Sequence, residues 1–239
     1  MTFGCYLNAQ SSGIVNGTDD GEWVAMNYLS WTDGAAYAAW AGLRPFTEFE
    51  YEKAARGPSS VDTGTNGEYA WGNTTLTNAT GFSGTTAGTS SETTTPSGAN
   101  CLITGGISGP VRGGTFATSS SSRATAGAGY WGIMDLSGNL WKRPVTVGNS
   151  TGRAFVGSNG SGVLASDGNA TNCDWPGSST TCPTVGEVNS SGSYGTCGLR
   201  GGDWTDASTY ARVSDRYYAA LVYTSRSYSL GARFARTSP

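Results

Sequence analysis

The chain has 239 residues, of which only 13% are charged, and its formal net charge is -3. This balance is too acidic and too poor in cations to coat a phosphate backbone, so we expect no nucleic-acid partner. The chain also lacks histidine, which excludes Ser-His-Asp and Cys-His nucleophiles, histidine general bases and His-ligated zinc or iron centres. Gly, Ser and Thr together make up 98 residues, so we predict a fold dominated by loops.

The cysteines number five, so at least one of them has no partner within the chain: Cys5, Cys101, Cys173, Cys182 and Cys197. None forms a C-x-x-C pair, which argues against a thiolate metal site or a thioredoxin-type redox site. A disulfide between Cys173 and Cys182 would close the loop between them, and free, buried thiols fit equally well. No stretch approaches the ~20 apolar residues that span a bilayer, and no signal peptide is recognisable, so we expect no membrane insertion.

The first predicted helix follows a weakly patterned start, residues 1–26, which predicts irregular chain or one short strand. Capping side chains at residues 30–33 begin the helix, and Gly42 ends it. Three residues on this helix recur at intervals of three and four and predict a stripe that faces the core: Tyr37, Trp40 and Ala41.

The second predicted helix begins at a capping box, because Thr47 and Glu50 stand three residues apart. It continues through Tyr51 and Ala55 and ends in a basic turn before Gly57.

Two loop-rich stretches follow, at residues 58–122 and 148–198. An aperiodic stretch of roughly sixty residues is unusual in a compact domain, so we interpret the first as a surface excursion pinned by Trp71. A flexible linker is the alternative. We treat residues 1–239 as a single domain.

Between and after these loops we predict strands. Residues 132–141 have the pattern of a strand, a tight Ser-Gly-Asn turn and a second strand. Residues 198–236 have the pattern of a strand, a turn, a tyrosine-rich stretch and a final strand at 231–236. Five tryptophans are assigned to the core: Trp31, Trp40, Trp71, Trp131 and Trp141.

Residues 43–57 carry a recognisable motif, Leu-Arg-x-x-Thr-Glu-x-Glu-x-Glu-Lys-Ala-Ala-Arg-Gly. With later blocks at 68–73, 132–141, 199–204 and 231–234, the chain resembles the formylglycine-generating enzyme family from about residue 27 to 236. The resemblance implies that family's C-type lectin fold, an α+β architecture that is irregular and loop-rich, with two helices beside small antiparallel sheets.

The resemblance does not extend to the chemistry of that family. Its enzymes bind copper through two cysteines placed five apart after a Gly-Gly-Ser-aromatic turn, and the matching positions here hold Asp206 and Ala211. Neither residue offers the soft sulfur that monovalent copper prefers. Relatives with histidine-bound iron are excluded as well, because the chain has no histidine. We expect no catalytic residue and no cofactor.

A structural ion of the family is also put in doubt. The family's Gly-Asn-x-Trp-Glu-Trp turn supplies Asn and Glu oxygens to a calcium site, and here the corresponding residues are 138–143, with Asn139 retained and Lys142 in place of the carboxylate. Calcium needs six to eight oxygen ligands, which an ammonium group opposes. We expect no metal at this turn, and a site elsewhere is left open.

Residues 201–236 resemble the variable region of proteins that retroelements diversify by copying a template with errors at adenines. Such rewriting of Asn codons yields Tyr, Ser, Asp, Thr and other types, but never Lys, Glu, Gln, Met or Trp. None of those five types occurs between Thr205 and Leu230, although so short a stretch would hold few of them by chance.

Polar and tyrosine clusters in this region alternate with framework residues. Tyrosine gives a large contact area at a small entropic cost, and Ser, Thr and Asp give adaptable hydrogen bonds. The predicted contact surface for a protein or other macromolecular ligand consists of Asp203, Thr205, Asp206, Tyr210, Asp215, Tyr217, Tyr218, Tyr223, Ser227 and Tyr228. The alternative is that the tyrosines are half-buried strand residues. Because neighbours in a strand point to opposite faces, at least one of Tyr217 and Tyr218 should be exposed.

Three arginines accompany this surface, namely Arg212, Arg216 and Arg233. We predict that they pair with Asp203, Asp206 and Asp215 and hold the loops, rather than bind an acidic ligand.

The sequence therefore favours a non-catalytic binding protein with a hypervariable surface, exposed on a virion or a cell. One alternative is a divergent formylglycine-generating-type oxidase in which Cys197 or Cys182 has taken over the chemistry. The other is a structural module of a virion or an appendage.

Overall fold

The structure is a computed structural model that describes residues 21–58, 66–176, 196–221, 223 and 225–237. Its regular elements are α1 (Trp31–Trp40), β1 (Arg44–Pro45), α2 (Glu48–Arg56), β2 (Gly81–Phe82), β3 (Thr94–Thr95), α3 (Ser150–Arg153), a 3₁₀ turn (Ser208–Ala211) and β4 (Phe234–Ala235). Two main helices and two small antiparallel sheets agree with the predicted loop-rich α+β architecture. None of the helices in these ranges is long and apolar enough to span a bilayer.

Helix α1 begins at the predicted capping side chains, which form a capping box. The Ser30 hydroxyl accepts a hydrogen bond from the Asp33 N–H at 3.2 Å, and the Asp33 carboxylate accepts one from the Ser30 N–H at 2.9 Å. Two N–H groups that the helix itself leaves without a partner are thereby satisfied. Gly42 follows the helix with a φ of 66°, as the predicted glycine stop requires.

The inward face of α1 differs from the prediction. Trp40 is 63% exposed, and Tyr37 and Ala41 are exposed as well. The buried face consists of Trp31, Gly34, Ala35, Ala38 and Ala39. Small residues face inward because other segments approach the helix backbone closely, and a side chain at Gly160 would lie 2.6 Å from the Ala38 carbonyl oxygen. Bulky aromatic side chains on that face would keep the loop away.

Helix α2 also starts as predicted, with the Thr47 hydroxyl accepting from the Glu50 N–H and the Glu50 carboxylate accepting from the Thr47 N–H at 2.8 Å. Gly57 follows its last turn. Tyr51 and Ala55 are fully buried on its inner face. They form a core cluster with Phe46, Ala70, Leu136 and Val213, so α2 is anchored at the centre of the described fold.

Each sheet has two strands, and each strand is only two residues long. Strand β1 pairs antiparallel with β4, with Arg44 opposite Ala235, and β2 pairs antiparallel with β3, with Gly81 opposite Thr95. The final strand predicted at 231–236 is thus reduced to β4.

The strands predicted around the turn at 137–139 do not form. Asp135, Gly138 and Asn139 have positive φ values of 56°, 77° and 66°, and such left-handed residues interrupt the extended backbone of a strand. Only isolated bridges remain nearby, from Trp141 to Leu230 and from Lys142 to Arg200.

Trp71 anchors the first loop excursion, as predicted. Its indole N–H donates to the Thr75 carbonyl at 2.9 Å, and its ring stacks on Tyr69 with 4.9 Å between centroids. Trp31 and Trp141 are buried like Trp71, but Trp131 is 58% exposed and, like Trp40, does not belong to the core. Trp131 lies beside Gly132 in a turn and contacts Tyr130 only with a ring edge, so the chain turns away before the ring can be enclosed.

The cysteines divide into two groups. Cys101 and Cys197 are buried free thiols, whereas Cys173 is disulfide-bonded. Outside the described residues lie Cys182, which is the predicted partner of Cys173, and residues 1–20 of the predicted irregular start, which include Cys5.

Candidate functional site

Three tyrosines of the predicted contact surface form a ring cluster on Trp141. Tyr210 and Tyr218 stack with 5.5 Å between centroids, and Tyr217 meets Tyr218 edge-on at 4.7 Å. The buried Trp141 ring lies 5.6 Å from Tyr218 and 6.1 Å from Tyr210. Because Tyr217 is 73% exposed, the prediction that one of the adjacent pair faces solvent is confirmed. The tyrosine cluster, as we call Tyr210, Tyr217 and Tyr218, is an exposed aromatic group with a fixed base.

Two further predicted tyrosines lie outside the tyrosine cluster. Tyr228 is exposed and packs on Trp204 with 5.6 Å between centroids. Tyr223 is also exposed, and its carbonyl accepts a hydrogen bond from the Arg143 guanidinium at 2.8 Å. The structure therefore divides the predicted tyrosines into a cluster of three and two separate exposed rings.

The turn at residues 139–141 holds both aromatic groups. The backbone N–H of Trp204 donates to the Asn139 carbonyl at 2.9 Å, and the backbone N–H of Trp141 donates to the Ser229 carbonyl at 3.0 Å. Sequence reasoning assigned Trp141 to the core and left Trp204 out of the contact surface, so it missed that both indoles support the predicted surface. The position of Trp204 directly before the tyrosine-rich stretch was the signal available for this role.

Asp203 is 3% exposed, so its side chain lies beneath the predicted contact surface rather than on it. Its carboxylate accepts hydrogen bonds from the N–H and hydroxyl of Thr205 at 2.6 and 2.7 Å. Asp203 was predicted to contact the ligand, but its buried side chain shapes the loop instead. Thr205 is exposed, and three other predicted residues are partly exposed, namely Asp206, Asp215 and Ser227.

Asp206 and Asp203 form an acidic pair at the start of this segment. The Asp203 N–H donates to the Asp206 carboxylate at 3.0 Å. Burial and the nearby Asp203 carboxylate raise the pKa of Asp206 to about 6, because both disfavour a second negative charge.

Two arginines of this region, Arg200 and Arg216, are held by glutamates of α2, and Arg216 does not pair with the predicted aspartates. Arg200, buried beside the predicted surface, pairs with Glu48 at 2.7 Å and with Glu52 at 2.5 Å. Arg216 pairs with Glu48 at 2.9 Å. Burial opposes ionisation of Glu48, but hydrogen bonds from Arg216 and the Val147 N–H, with the charge of Arg200, hold the pKa of its carboxyl below the usual range.

The predicted pairing of arginines with Asp203, Asp206 and Asp215 is therefore wrong within the described ranges. Arg233 donates to the Met134 carbonyl at 2.6 Å, and Arg212 points to solvent. The aspartates instead bind local N–H groups, since Asp215 accepts from the Tyr217 N–H at 3.3 Å. Sequence reasoning missed Glu48 and Arg200, although an arginine inside the Leu-Arg-Gly-Gly block of a cation-poor chain was a usable signal.

A cavity of about 820 Å³ lies between α1, residues 25–29 and residues 231–234. Its size suits a small molecule, and the ion pair of Asp33 with Arg226 belongs to its lining. None of the predicted contact residues lines it. The cavity therefore lies apart from the predicted contact residues, although Trp141, on which the tyrosine cluster packs, belongs to its lining.

Comparison with known proteins agrees with this architecture. The family model described as the sulfatase-modifying factor enzyme 1-like domain matches residues 24–237. The chain belongs to this family. Domains of the sulfatase-modifying factor type have a C-type lectin-like fold, as the sequence resemblance predicts. A formylglycine-generating enzyme of Thermomonospora curvata is 50% identical over 46 residues, which are 19% of this chain and 14% of that enzyme.

The residues at the family's copper positions do not fit a copper ion. Ala211 is buried and offers only a methyl group, and the Asp206 carboxylate is bound by the Asp203 N–H. Cys197 packs among Trp31 and Val145, and burial raises the pKa of its thiol to about 12. Burial does the same for Cys101, so neither thiol is a thiolate near neutral pH.

The turn that holds calcium in the family does not fit that ion either. The Lys142 side chain is buried and its Nζ donates to the Gly138 carbonyl at 2.5 Å. The Asn139 amide oxygen accepts from the Val111 N–H at 3.0 Å. Both positions are thus committed to protein partners. Within the described ranges, no group of three or more Cys, Asp or Glu side chains is placed to hold a metal.

Proposed function

We propose that this chain is a non-catalytic, ligand-binding member of its family that recognises a macromolecular ligand, in the simplest case a protein. The contact surface is the segment from Thr205 to Tyr228. The observation that carries the proposal is the tyrosine cluster, which presents Tyr217 to solvent above a buried indole. Stacked tyrosines lose little conformational entropy on binding, because their rings are already held by one another.

The absence of catalysis is supported by the side chains at the family's copper positions. An oxidase of this type needs two accessible thiolates, and the chain has Asp206 and Ala211 there. The described free thiols, Cys101 and Cys197, are buried with raised pKa values. The oxidase alternative would be supported by copper-dependent oxygen consumption, which we expect to be absent.

Hypervariability of this surface is the second part of the proposal. Framework residues such as Ala211, Val213 and Leu230 are buried, while the residue types between them are those that adenine-directed rewriting produces. A binding surface that changes from copy to copy needs this separation, because rewriting exposed residues leaves the core intact.

The first test is genomic. The DNA beside the gene should contain a near-copy of the codons for residues 205–236, with differences confined to adenines, next to a reverse transcriptase gene. A near-copy with scattered differences, or neither feature, would contradict diversification by a retroelement. It would leave the binding role to be tested separately.

The second test is binding. The purified chain, fluorescently labelled, is applied to a protein array, and each bound protein is retested with Tyr217→Ala and with Tyr37→Ala. Tyr37 is a matched control because it is an exposed tyrosine on α1, outside the proposed surface. Loss of a tyrosine anchor should cost about 1–3 kcal/mol of binding free energy, so affinity should fall about fivefold or more only for Tyr217→Ala.

Equal behaviour of the two variants would contradict the proposed surface. Self-assembly into a regular array with no bound protein on the chip would favour the structural-module alternative instead.

A further inference from the structure

The turn from Asp135 to Lys142 curls around one buried amine. Three of its residues have left-handed backbones, and a side chain at Gly138 would collide with the Leu102 carbonyl and the Cys101 sulfur. This conformation turns the Gly138 carbonyl inward. It accepts a hydrogen bond from Lys142 Nζ at 2.5 Å, and the Lys142 side chain is only 4% exposed.

The charged groups that act on this amine come from several segments. Burial and the Arg233 guanidinium lower the pKa of the Lys142 amine to about 7, whereas the carboxylates of Asp135 and Asp203 act in the opposite direction. Cys101 faces the same amine and is neutral at ordinary pH. An inward carbonyl with two carboxylates nearby is the kind of environment that protein sites offer to a hard cation.

We infer that the Lys142 side chain is a built-in replacement for a bound cation in this turn. The amine satisfies the Gly138 carbonyl that a metal would otherwise coordinate, and in its protonated form it carries the charge opposite to that of the carboxylates. The turn is therefore complete without calcium. Since Asn139 and Trp141 of this turn hold the segment around Trp204 and Ser229, the folded state of that segment is metal-independent too.

The inference predicts that Lys142→Glu creates a calcium site. The variant would bring a third carboxylate to Asp135 and Asp203, with the Gly138 carbonyl as a further oxygen ligand and Arg233 as the only opposing cation named above. Such a cluster is unstable without a divalent ion and stable with one. Lys142→Met is the matched control, because it keeps the length of the side chain but supplies neither an amine nor a carboxylate.

The experiment measures the thermal midpoint of the full chain in millimolar CaCl₂ and in EDTA. The wild type should give the same midpoint in both, and Lys142→Met a lower midpoint that is also the same in both. Lys142→Glu should unfold earliest in EDTA and gain about 5 °C or more with Ca²⁺. Terbium luminescence excited through tryptophan supplies a direct readout, since Trp141 adjoins the site, and should appear for Lys142→Glu alone.

Two results would overturn the inference. The first is terbium luminescence from the wild type as strong as that from Lys142→Glu, because a cation would then occupy the turn with the amine in place. The second is a Lys142→Glu variant that Ca²⁺ fails to stabilise, including one that stays unfolded in Ca²⁺ as well as in EDTA.

Discussion

The carboxyl of Asp206 has a higher pKa in the folded chain than in the unfolded chain, about 6 against the ordinary value of 3.8. The folded state therefore binds this proton more tightly. Its contribution to stability is fully present below pH 3.8 and is lost as the pH rises through about 6. At pH 7 and above, the ionised Asp206 repels Asp203 and weakens the loop that starts the proposed binding segment.

We accordingly expect Asp206→Asn to stabilise the protein at pH 8 by roughly 1 kcal/mol, a figure reduced from the pKa shift because the pair is partly solvent-screened. The amide oxygen of Asn can still accept from the Asp203 N–H, so the loop geometry is kept. The stability difference from wild type should shrink as the pH falls from 7 and should vanish only below pH 3.8, where the carboxyl is protonated in both states. Urea unfolding curves between pH 3.5 and pH 8 measure it.

Asp167→Asn is the control for this experiment, since Asp167 is exposed and hydrogen bonds from Asn169 lower the pKa of its carboxyl. Its effect should be constant between pH 5 and 8. A pH-independent effect of Asp206→Asn would show that the two carboxylates do not repel each other.

Single residues were predictable where their role is local. The capping side chains predicted at residues 30–33 and the capping box predicted at Thr47 both form, because a cap involves side chains only three residues apart. Asp203 was misplaced because burial depends on distant segments, and nothing in its neighbours distinguishes it from the exposed Thr205. Lys142 is intermediate, since the motif showed the missing carboxylate but not the hydrogen bond to Gly138.

At the scale of elements, α2 and the segment of Arg200 to Arg216 are joined by the buried Glu48. Removing one partner of a buried ion pair typically costs 3–5 kcal/mol, because the other charge stays buried without compensation. Arg200 keeps its contact with Glu52. We therefore expect Glu48→Gln to lower the free energy of unfolding by about 3 kcal/mol at pH 7, measured by urea unfolding.

Two arginine variants calibrate this value. Arg216→Gln leaves Glu48 paired with Arg200, and Arg226→Gln breaks the exposed pair with Asp33, so each should cost under about 1 kcal/mol. The folded pKa of Glu48 is lowered, so its stabilisation is present above pH 4.5 and lost as the pH falls through the folded value. A Glu48→Gln effect no larger than that of Arg226→Gln would contradict the central role of this carboxylate.

The type and extent of an element were predictable where a capping motif marked its start. Which face of α1 is buried was not predictable. The spacing of Tyr37 and Trp40 gave a regular stripe, yet α1 buries its alanines because the loop at Gly160 needs a close approach to the helix. The strands predicted around Ser137 fail for a related reason. Left-handed residues at Asp135 and Asn139 serve long-range contacts with Gly114 and Val111, which alternation of residue types does not reveal.

At the scale of the whole molecule, the family motif predicted the fold because it records many long-range constraints at once. The same motif says nothing about which residues a ligand contacts. That separation is physical, since the buried framework is fixed by packing, whereas most of an exposed side chain such as that of Tyr217 faces solvent. The proposed surface can therefore be tested through stability, without knowledge of the ligand.

Exposed and framework positions of the binding segment should respond differently to substitution. Replacing Tyr217 or Thr205 by Ala should change the free energy of unfolding by no more than about 0.5 kcal/mol. Leu230→Ala should cost about 2–5 kcal/mol, because it leaves a cavity beside Trp141 and Leu199. A surface-display library that reports folded protein measures both sets together.

Two valine-to-alanine substitutions, one at a buried and one at an exposed position, form a matched pair for the same library. Val213→Ala removes methyl groups from the central core, whereas Val156→Ala removes them from a side chain that is almost fully exposed. Only the first should reduce the displayed fraction, because only the first leaves a cavity. If Tyr217→Ala instead behaved like Val213→Ala, that ring would be part of the framework, and a surface that varies freely in sequence could not include it.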